Sequence, residues 1–147
     1  MRLRATLTCL LILMSILTPS IVSAPSAMAA GCYATSCNGQ DPQSMGCSSG
    51  AGNLTQFTWD TTYFELRLSS ACKAVWARTT NNSYPCYGGN AWVHSYYDYA
   101  MTQWAGSEYI NQGCFSQQWS KMRSFTYWIK FCYEDYYRHI NYCRGPY

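Results

Sequence analysis

The sequence predicts a mostly β fold, a small disulfide-stapled antiparallel sheet or barrel-like domain with a Cys/Gly-rich N-terminal loop region and one short helix. Beyond residue 29 the chain holds all 25 of its aromatic residues but only eight Leu, Ile and Val residues. A helical domain of this size needs more aliphatic residues on its buried stripes, whereas aromatic and Thr-rich segments suit a pleated, half-buried surface. The same region also carries eight cysteines, which favours a small stapled domain.

The N-terminus has the layout of a secretory signal peptide. It begins with two arginines, continues with an apolar run and reaches small residues, with Ala-Met-Ala at 27–29 as the cleavage motif. We predict that residues 1–29 are removed and that residues 30–147 form a single secreted domain. An alternative is lipidation of Cys32, which follows a degraded lipobox. It is disfavoured because the residue three positions before Cys32 is Ala, and because lipidation would use one of an even set of cysteines.

Charge and hydropathy exclude several partner classes. Without the signal peptide the formal net charge falls from +3 to +1, so the sequence predicts no nucleic-acid partner. The N-terminal apolar run is too short and too interrupted to span a membrane, which takes roughly 20 apolar residues, so we expect no stable membrane insertion. No motif for a cofactor is present.

The even number of cysteines predicts four disulfides in an exported protein. A zinc site is disfavoured because no Cys-x-x-Cys pair occurs and the two histidines lie far apart in the chain. We expect the first four cysteines to pair among themselves and the last four likewise, with a bridge across a hairpin between the last two. The eight residues are Cys32, Cys37, Cys47, Cys72, Cys86, Cys114, Cys132 and Cys143.

The first half of the domain predicts an irregular segment followed by a hairpin. Residues 31–53 are rich in Gly, Ser and Asn, with turn dipeptides between the cysteines. From Phe64 the apolar residues alternate with Glu65 and Arg67, so a strand with an outward charged face is expected. A second alternating run begins at Cys72, which places a turn near residues 69–71. Across this pair, Glu65 would face Lys73 or Arg78 in a surface contact.

Two motifs in this half carry a family resemblance: G-C-x4-C-N-G-Q-D-P-Q-S-x-G-C, and then F-E-L-R-x-S-x-A-C-K-A-x-W-A-R. Over about residues 31–80 the chain resembles the YjfA-like secreted domain family, domain of unknown function 2690, of Gram-positive bacteria. The resemblance implies a location outside the cytoplasm and no established activity. It supplies no catalytic residues.

The second half predicts further strands and one helix. The sequence of residues 79–90 predicts a loop. The side chains of the strand predicted after it alternate between two faces, and the expected core face carries Val93, Tyr97, Tyr99 and Met101. A short helix is expected near residues 115–122. The tail predicts a hairpin that turns after Glu134, with a row of side chains on one strand face before the turn. That row consists of Phe125, Tyr127, Ile129, Phe131 and Tyr133.

The candidate ligand-binding residues are the outward row of the strand after the loop, Trp92, His94, Tyr96 and Asp98. Exposed Trp and Tyr rings bind sugars or peptides at small entropic cost, so cell-wall glycan or another extracellular ligand is the leading hypothesis. The simpler alternative is that the aromatic residues form the core. A third class is a secreted protein-binding or inhibitor module that uses loops 79–90 or 102–118. A hydrolase is disfavoured because no catalytic motif accompanies the histidines, so we expect no catalytic residues.

Overall fold

The computed structural model describes residues 29–81, 89–111 and 116–147. The signal peptide predicted for residues 1–29 lies almost wholly outside these ranges. The described residues form two antiparallel sheets and one short 3₁₀ turn, so the mostly β prediction is confirmed. The strands are β1 (Gly52–Trp59), β2 (Thr62–Ser69), β3 (Ala74–Asn81), β4 (Gly89–Tyr96), β5 (Trp104–Asn111), β6 (Ser116–Trp119), β7 (Arg123–Ser124), β8 (Trp128–Asp135) and β9 (Ile140–Arg144).

The first sheet contains the predicted hairpin. Its order is β1-β2-β3-β6, and β7 also pairs with β3. The turn lies between Ser69 and Ala74, as the sequence indicates. Glu65 pairs with Arg78 rather than with Lys73. The prediction of an outward surface contact is wrong, however, because Glu65 is only 3 % exposed.

The second sheet has the order β5-β4-β8-β9. Its strand β4 ends at Tyr96, so the prediction that Tyr97, Tyr99 and Met101 continue a core face is wrong. Tyr97 and Tyr99 are 62 % and 64 % exposed. The chain turns here because the carboxylate of Asp98 accepts hydrogen bonds from the backbone N–H groups of Thr102 and Gln103. Such a local acceptor ends a strand by capping the turn that follows it.

The main core lies between the two sheets. Ring contacts join them: Phe64 lies 4.6 Å from Tyr133 between ring centroids, and Phe57 lies 5.6 Å from Phe131. Burial raises the pKa of Tyr133 to about 12, and the charges of Asp135 and Asp60 act in the same direction. The buried members are Phe57, Phe64, Leu66, Val75, Ala77, Ala91, Val93, Ile110, Ile129, Phe131 and Tyr133, with Phe125 and Tyr127 packed against them. The predicted row is confirmed for Ile129, Phe131 and Tyr133, which share the buried face of β8, whereas Phe125 and Tyr127 precede that strand.

A second, smaller core covers the other face of the first sheet. The N-terminal segment, residues 31–51, packs there on Ala74, Trp76 and Met122. Disulfides hold this segment, which includes the 3₁₀ turn Ala34–Cys37. Within the described ranges the bridges are Cys32–Cys37, Cys47–Cys72 and Cys132–Cys143. Pairing among the first four cysteines and the C-terminal hairpin bridge are both confirmed, while Cys86 and Cys114 lie outside the described residues.

The helix predicted near residues 115–122 is wrong. Residues Ser116–Trp119 form strand β6, which pairs with β3. The indole Nε1–H of Trp119 donates a hydrogen bond of 2.9 Å to the Asp41 carboxylate, 78 residues earlier in the chain. This distant contact and the ladder with β3 override a local pattern that suits a helix.

Arg123 connects the two sheets. From β7 in the first sheet it donates hydrogen bonds to the Ser95 hydroxyl on β4 and to the Ala105 carbonyl on β5. The guanidinium lies against Gly106, where an added Cβ would come within 2.6 Å of it. Gly106 also has a φ of +136°, so both the backbone conformation and the space require glycine. The contact between Arg123 and Gly106 therefore fixes how β5 lies over the first sheet.

In the described part of the chain, no helix is long and apolar enough to cross a membrane.

Candidate functional site

The outward face of the second sheet carries a continuous group of rings, which we call the aromatic face. It consists of Trp92, His94, Tyr96, Trp104, Tyr109 and Trp128. Three of these were predicted from the alternation of β4, and that strand does place them on one side, with Ala91, Val93 and Ser95 buried on the other. The register brings Tyr109 beside Trp92, and both Trp104 and Trp128 beside Tyr96.

The rings of the aromatic face contact one another. Trp92 stacks on Tyr109 with centroids 4.7 Å apart and on His94 at 5.6 Å. Trp104 continues the row, 5.4 Å from His94 and 5.5 Å from Tyr96. Neighbouring rings restrict one another's rotamers, so the surface is ordered before any ligand arrives.

Much of this aromatic area faces solvent. Trp104 is 54 % exposed, Tyr109 is 52 % and Trp128 is 40 %. Tyr99, from the turn after β4, contacts Trp128 edge-on at 5.0 Å and extends the surface. The simpler alternative, in which the aromatic residues serve only as core, therefore fails for these four rings.

His94 lies near the centre of the aromatic face, between rings on both sides. Burial lowers its pKa, and the charge of Lys130, its partner on β8, lowers it further, while Glu134 acts in the opposite direction. Its Nδ1 atom is buried without a hydrogen-bond partner among the described residues. The neutral imidazole is therefore favoured, and it serves as one more flat ring of the surface.

Asp98 does not join the other three predicted binding residues. It lies beyond the end of β4, where its carboxylate accepts hydrogen bonds from the Thr102 hydroxyl at 2.7 Å and from the Gln103 N–H at 2.7 Å. These hydrogen bonds, first that of the Thr102 side chain, lower its pKa. Its role in the structure is to form the turn that carries Tyr99.

Trp104, Tyr109 and Trp128 were missed as site residues. Trp104 and Tyr109 are five residues apart, and strict alternation would place them on opposite faces of β5. The register between β4 and β5 shifts at Ser95/Tyr96, where β5 contains an extra residue. A β-bulge of this kind puts two residues opposite one and so returns Trp104 to the face of Tyr109. The sequence contains one indication of this bulge, which is Gly106, since glycine within a strand often marks a bulge.

Within the described ranges, one group of metal-ligand atoms converges, namely the sulfurs of Cys32, Cys37, Cys47 and Cys72, which lie within 4.8 Å of one another. All four sulfurs belong to the two N-terminal disulfides. Zinc binds thiolates, and a disulfide offers none. In the oxidised protein these four cysteines therefore form two structural disulfides.

The chain matches the family model described as "Protein of unknown function (DUF2690)" over residues 35–123. The match extends past the motifs near residue 80 to include β4, β5 and β6, so it covers most of the aromatic face. No curated protein and no solved structure matches the chain. Because the match spans more than half of the sequence, the chain belongs to the DUF2690 family of proteins of unknown function.

Proposed function

We propose that this protein binds a polysaccharide of the bacterial cell wall through its aromatic face, outside the cytoplasm and without catalysing a reaction. The observation that carries the proposal is a row of mutually stacked, solvent-facing rings on a sheet whose other side already contributes a closed core. Contiguous exposed apolar patches commonly mark binding sites, which supports the proposal.

The geometry suits a flat, neutral sugar chain. The C–H faces of pyranose rings are apolar and pack on Trp and Tyr rings, while the sugar hydroxyls stay hydrated or bond to polar groups at the edge. The distance from Trp92 to Tyr96 along β4 is about 13 Å at roughly 3.3 Å per residue, which is longer than a single sugar ring. Among polar groups, Ser107 lies beside His94 on β5 and Lys130 beside it on β8, so hydrogen-bond donors are close at hand.

Export from the cell is part of the proposal. The three described disulfides are compatible with an extracellular location, because such bridges form and persist in oxidising compartments. The predicted signal peptide agrees with this location. Mass spectrometry of the culture medium and of the membrane fraction tests it: we expect a soluble product that begins at residue 30, and a lipid-modified Cys32 would contradict it.

The binding test is co-sedimentation of the oxidised mature protein with purified Gram-positive cell wall. Wild type is expected in the pellet, and Trp104→Ala combined with Tyr109→Ala is expected to lower the affinity at least tenfold. Stacked aromatic groups contribute about 0.5–1.5 kcal/mol each beyond their buried area, and two of them supply such a change. Tyr33→Ala is the matched control, since Tyr33 is 60 % exposed in the N-terminal segment, away from the aromatic face. Equal sedimentation of wild type and the double variant would overturn the proposal.

A secreted protein-binding module is the second candidate. The turn between β8 and β9 presents Tyr136 and Tyr137, which are 49 % and 72 % exposed, beside a cleft of about 250 Å³. Exposed tyrosines on a turn are typical of protein-binding surfaces. Parts of loops 79–90 and 102–118 lie outside the described residues. A stoichiometric secreted partner that co-purifies with wild type but not with Tyr137→Ala would favour this candidate.

A further inference from the structure

The two family motifs converge on a polar recess that the aromatic face does not involve. The recess lies on the face of the first sheet that points away from the main core, and its volume is about 30 Å³. We call it the arginine recess. It is lined by Gln43, Ser48, Arg67, Trp76, Arg78, Gln117 and Trp119.

Strand register explains the convergence. Glu65 lies opposite Arg78, and Arg67 lies opposite Trp76, so these four motif residues form one block on neighbouring strands. On the next strand, Trp119 pairs with Arg78 and Gln117 pairs with Thr80. The N-terminal segment closes the recess with Gln43 and Ser48, held beside it by the Cys47–Cys72 bridge.

The recess has an excess of positive charge. Arg78 donates hydrogen bonds of 2.5 and 2.7 Å to the two carboxylate oxygens of Glu65. Arg67 lies 3.8 Å from the same carboxylate, while its own hydrogen bonds go to the Asn53 side chain and the Ala51 carbonyl. Two guanidinium groups therefore share one carboxylate. Burial lowers the pKa of Arg67, and the charge of Arg78 lowers it further, which agrees with positive charge that is not fully compensated.

A second acid close to the recess, Asp41, is also engaged by hydrogen bonds. Asp41 accepts hydrogen bonds from the backbone N–H groups of Gln43 and Ser44 and from the Trp119 indole. Burial acts to raise its pKa, but these hydrogen bonds outweigh burial and lower it. The Asp41 carboxylate is thus occupied by the backbone of the turn and by the Trp119 indole. At the rim, the Ser48 hydroxyl donates a hydrogen bond of 3.4 Å to the Gln43 Oε1 atom.

We propose that the arginine recess binds a carboxylate group, specifically the C-terminal carboxylate of a short peptide. A recess of about 30 Å³ accommodates roughly one small polar group, which fits a carboxylate but not a sugar ring. The planar guanidinium group matches a planar carboxylate and donates charge-assisted hydrogen bonds to it. The Trp119 ring lines the recess, so the apolar part of the last residue would lie on it.

The test uses the oxidised mature protein and two-dimensional ¹H–¹⁵N NMR, with the indole signal of Trp119 as the reporter. The three probes are N-acetyl-alanyl-alanine, its C-terminal amide and inorganic phosphate. We expect the acid to shift the Trp119 signal in a saturable manner, and the amide to bind at least tenfold more weakly. Equal binding of acid and amide, binding of phosphate without the dipeptide, or no shift with the acid would each overturn the proposal.

Gln117→Glu and Gln118→Glu form a matched pair of variants that leaves the arginines in place. The two residues are neighbours on β6 and point to opposite faces, and only Gln117 lines the arginine recess. Each change adds one negative charge to an accessible side chain, so both variants are expected to fold. Gln117→Glu is expected to weaken binding of the acid at least fivefold through repulsion, while Gln118→Glu leaves it within twofold. Equal effects of the two substitutions would show that binding depends only on the net charge of the protein. That result would overturn the arginine recess as the binding site.

This inference is independent of the polysaccharide proposal. Trp104→Ala lies on the other sheet and is expected to leave the NMR shift unchanged. A loss of dipeptide binding in Trp104→Ala would contradict the separation of the two surfaces.

Discussion

The two sheets use the same residue types in opposite ways. The outer face of the first sheet is covered by the N-terminal segment, and its Trp76 is only 3 % exposed. The outer face of the second sheet leaves Trp104 54 % exposed. The first sheet is therefore closed on both sides, apart from a small polar recess, while the second is closed on one. An aromatic-rich composition therefore identifies neither core nor binding surface, since the covering segment decides which role a ring takes.

The largest expected difference between the sheets is in stability. Phe64→Ala removes a fully buried ring that stacks on Phe57 at 5.1 Å, and we expect a loss of about 3–5 kcal/mol in the free energy of unfolding. Trp104→Ala removes a half-exposed ring, and we expect a loss below about 1 kcal/mol. Urea denaturation of the two variants measures both values. Comparable losses would show that the aromatic face is part of the stabilising core and would weaken its assignment as a binding surface.

The next largest expected effect is the loss of stability when a disulfide is removed. Replacing Cys47 and Cys72 by alanine opens a loop of 25 residues, which the loop-entropy model values at about 3.5 kcal/mol. The Cys132/Cys143 pair closes only 11 residues, and its removal is expected to cost about 2.8 kcal/mol. The first removal should also free the N-terminal segment from the first sheet. Hydrogen exchange at Met122 reports this, because its N–H bonds to the Gln40 carbonyl. Unchanged protection there would show that packing alone holds the segment.

The smallest effect is a pH dependence on the second sheet. Burial and Lys130 hold the pKa of folded His94 below its ordinary value of 6.5, so the unfolded chain binds the proton more readily. The stabilising contribution is complete above about pH 6.5 and declines as the pH falls toward the folded pKa. We expect His94→Gln to reduce the loss of stability between pH 7 and pH 5, measured by thermal unfolding. His139→Asn, in the exposed β8–β9 turn, is the comparison variant, since it removes the other histidine of the chain. An unchanged slope in His94→Gln would place the pH dependence elsewhere.

Most strands could be predicted because the alternation of apolar and polar residues within each strand identifies its buried face. Alternation alone located Phe64 and Leu66, the β4 residues Trp92 to Tyr96, and the inward row of β8. The errors share a physical cause, which is contact between distant parts of the chain. Trp119 joins a strand because of Asp41 and β3, and Glu65 is buried because Arg67, Arg78 and Asn53 contact its carboxylate.

The candidate site was half predictable for the same reason. The β4 rings follow from a period of two, whereas the rings of β5 depend on a bulge that the period cannot show. The arginine recess depends on three strands and one loop, so no single stretch of sequence contains it. The family motifs supplied its residues, but only the register places them together.

Arg123 sets a limit on how this protein can be divided for experiments. A fragment that keeps the first sheet but lacks β4 and β5 would lose the Ser95 and Ala105 acceptors of Arg123 and would expose apolar residues of the main core to water. Exposed apolar surface costs about 25 cal/mol per Å², and a domain is stable by only about 5–15 kcal/mol. Each proposed surface therefore has to be studied in the intact chain, with point substitutions rather than isolated halves.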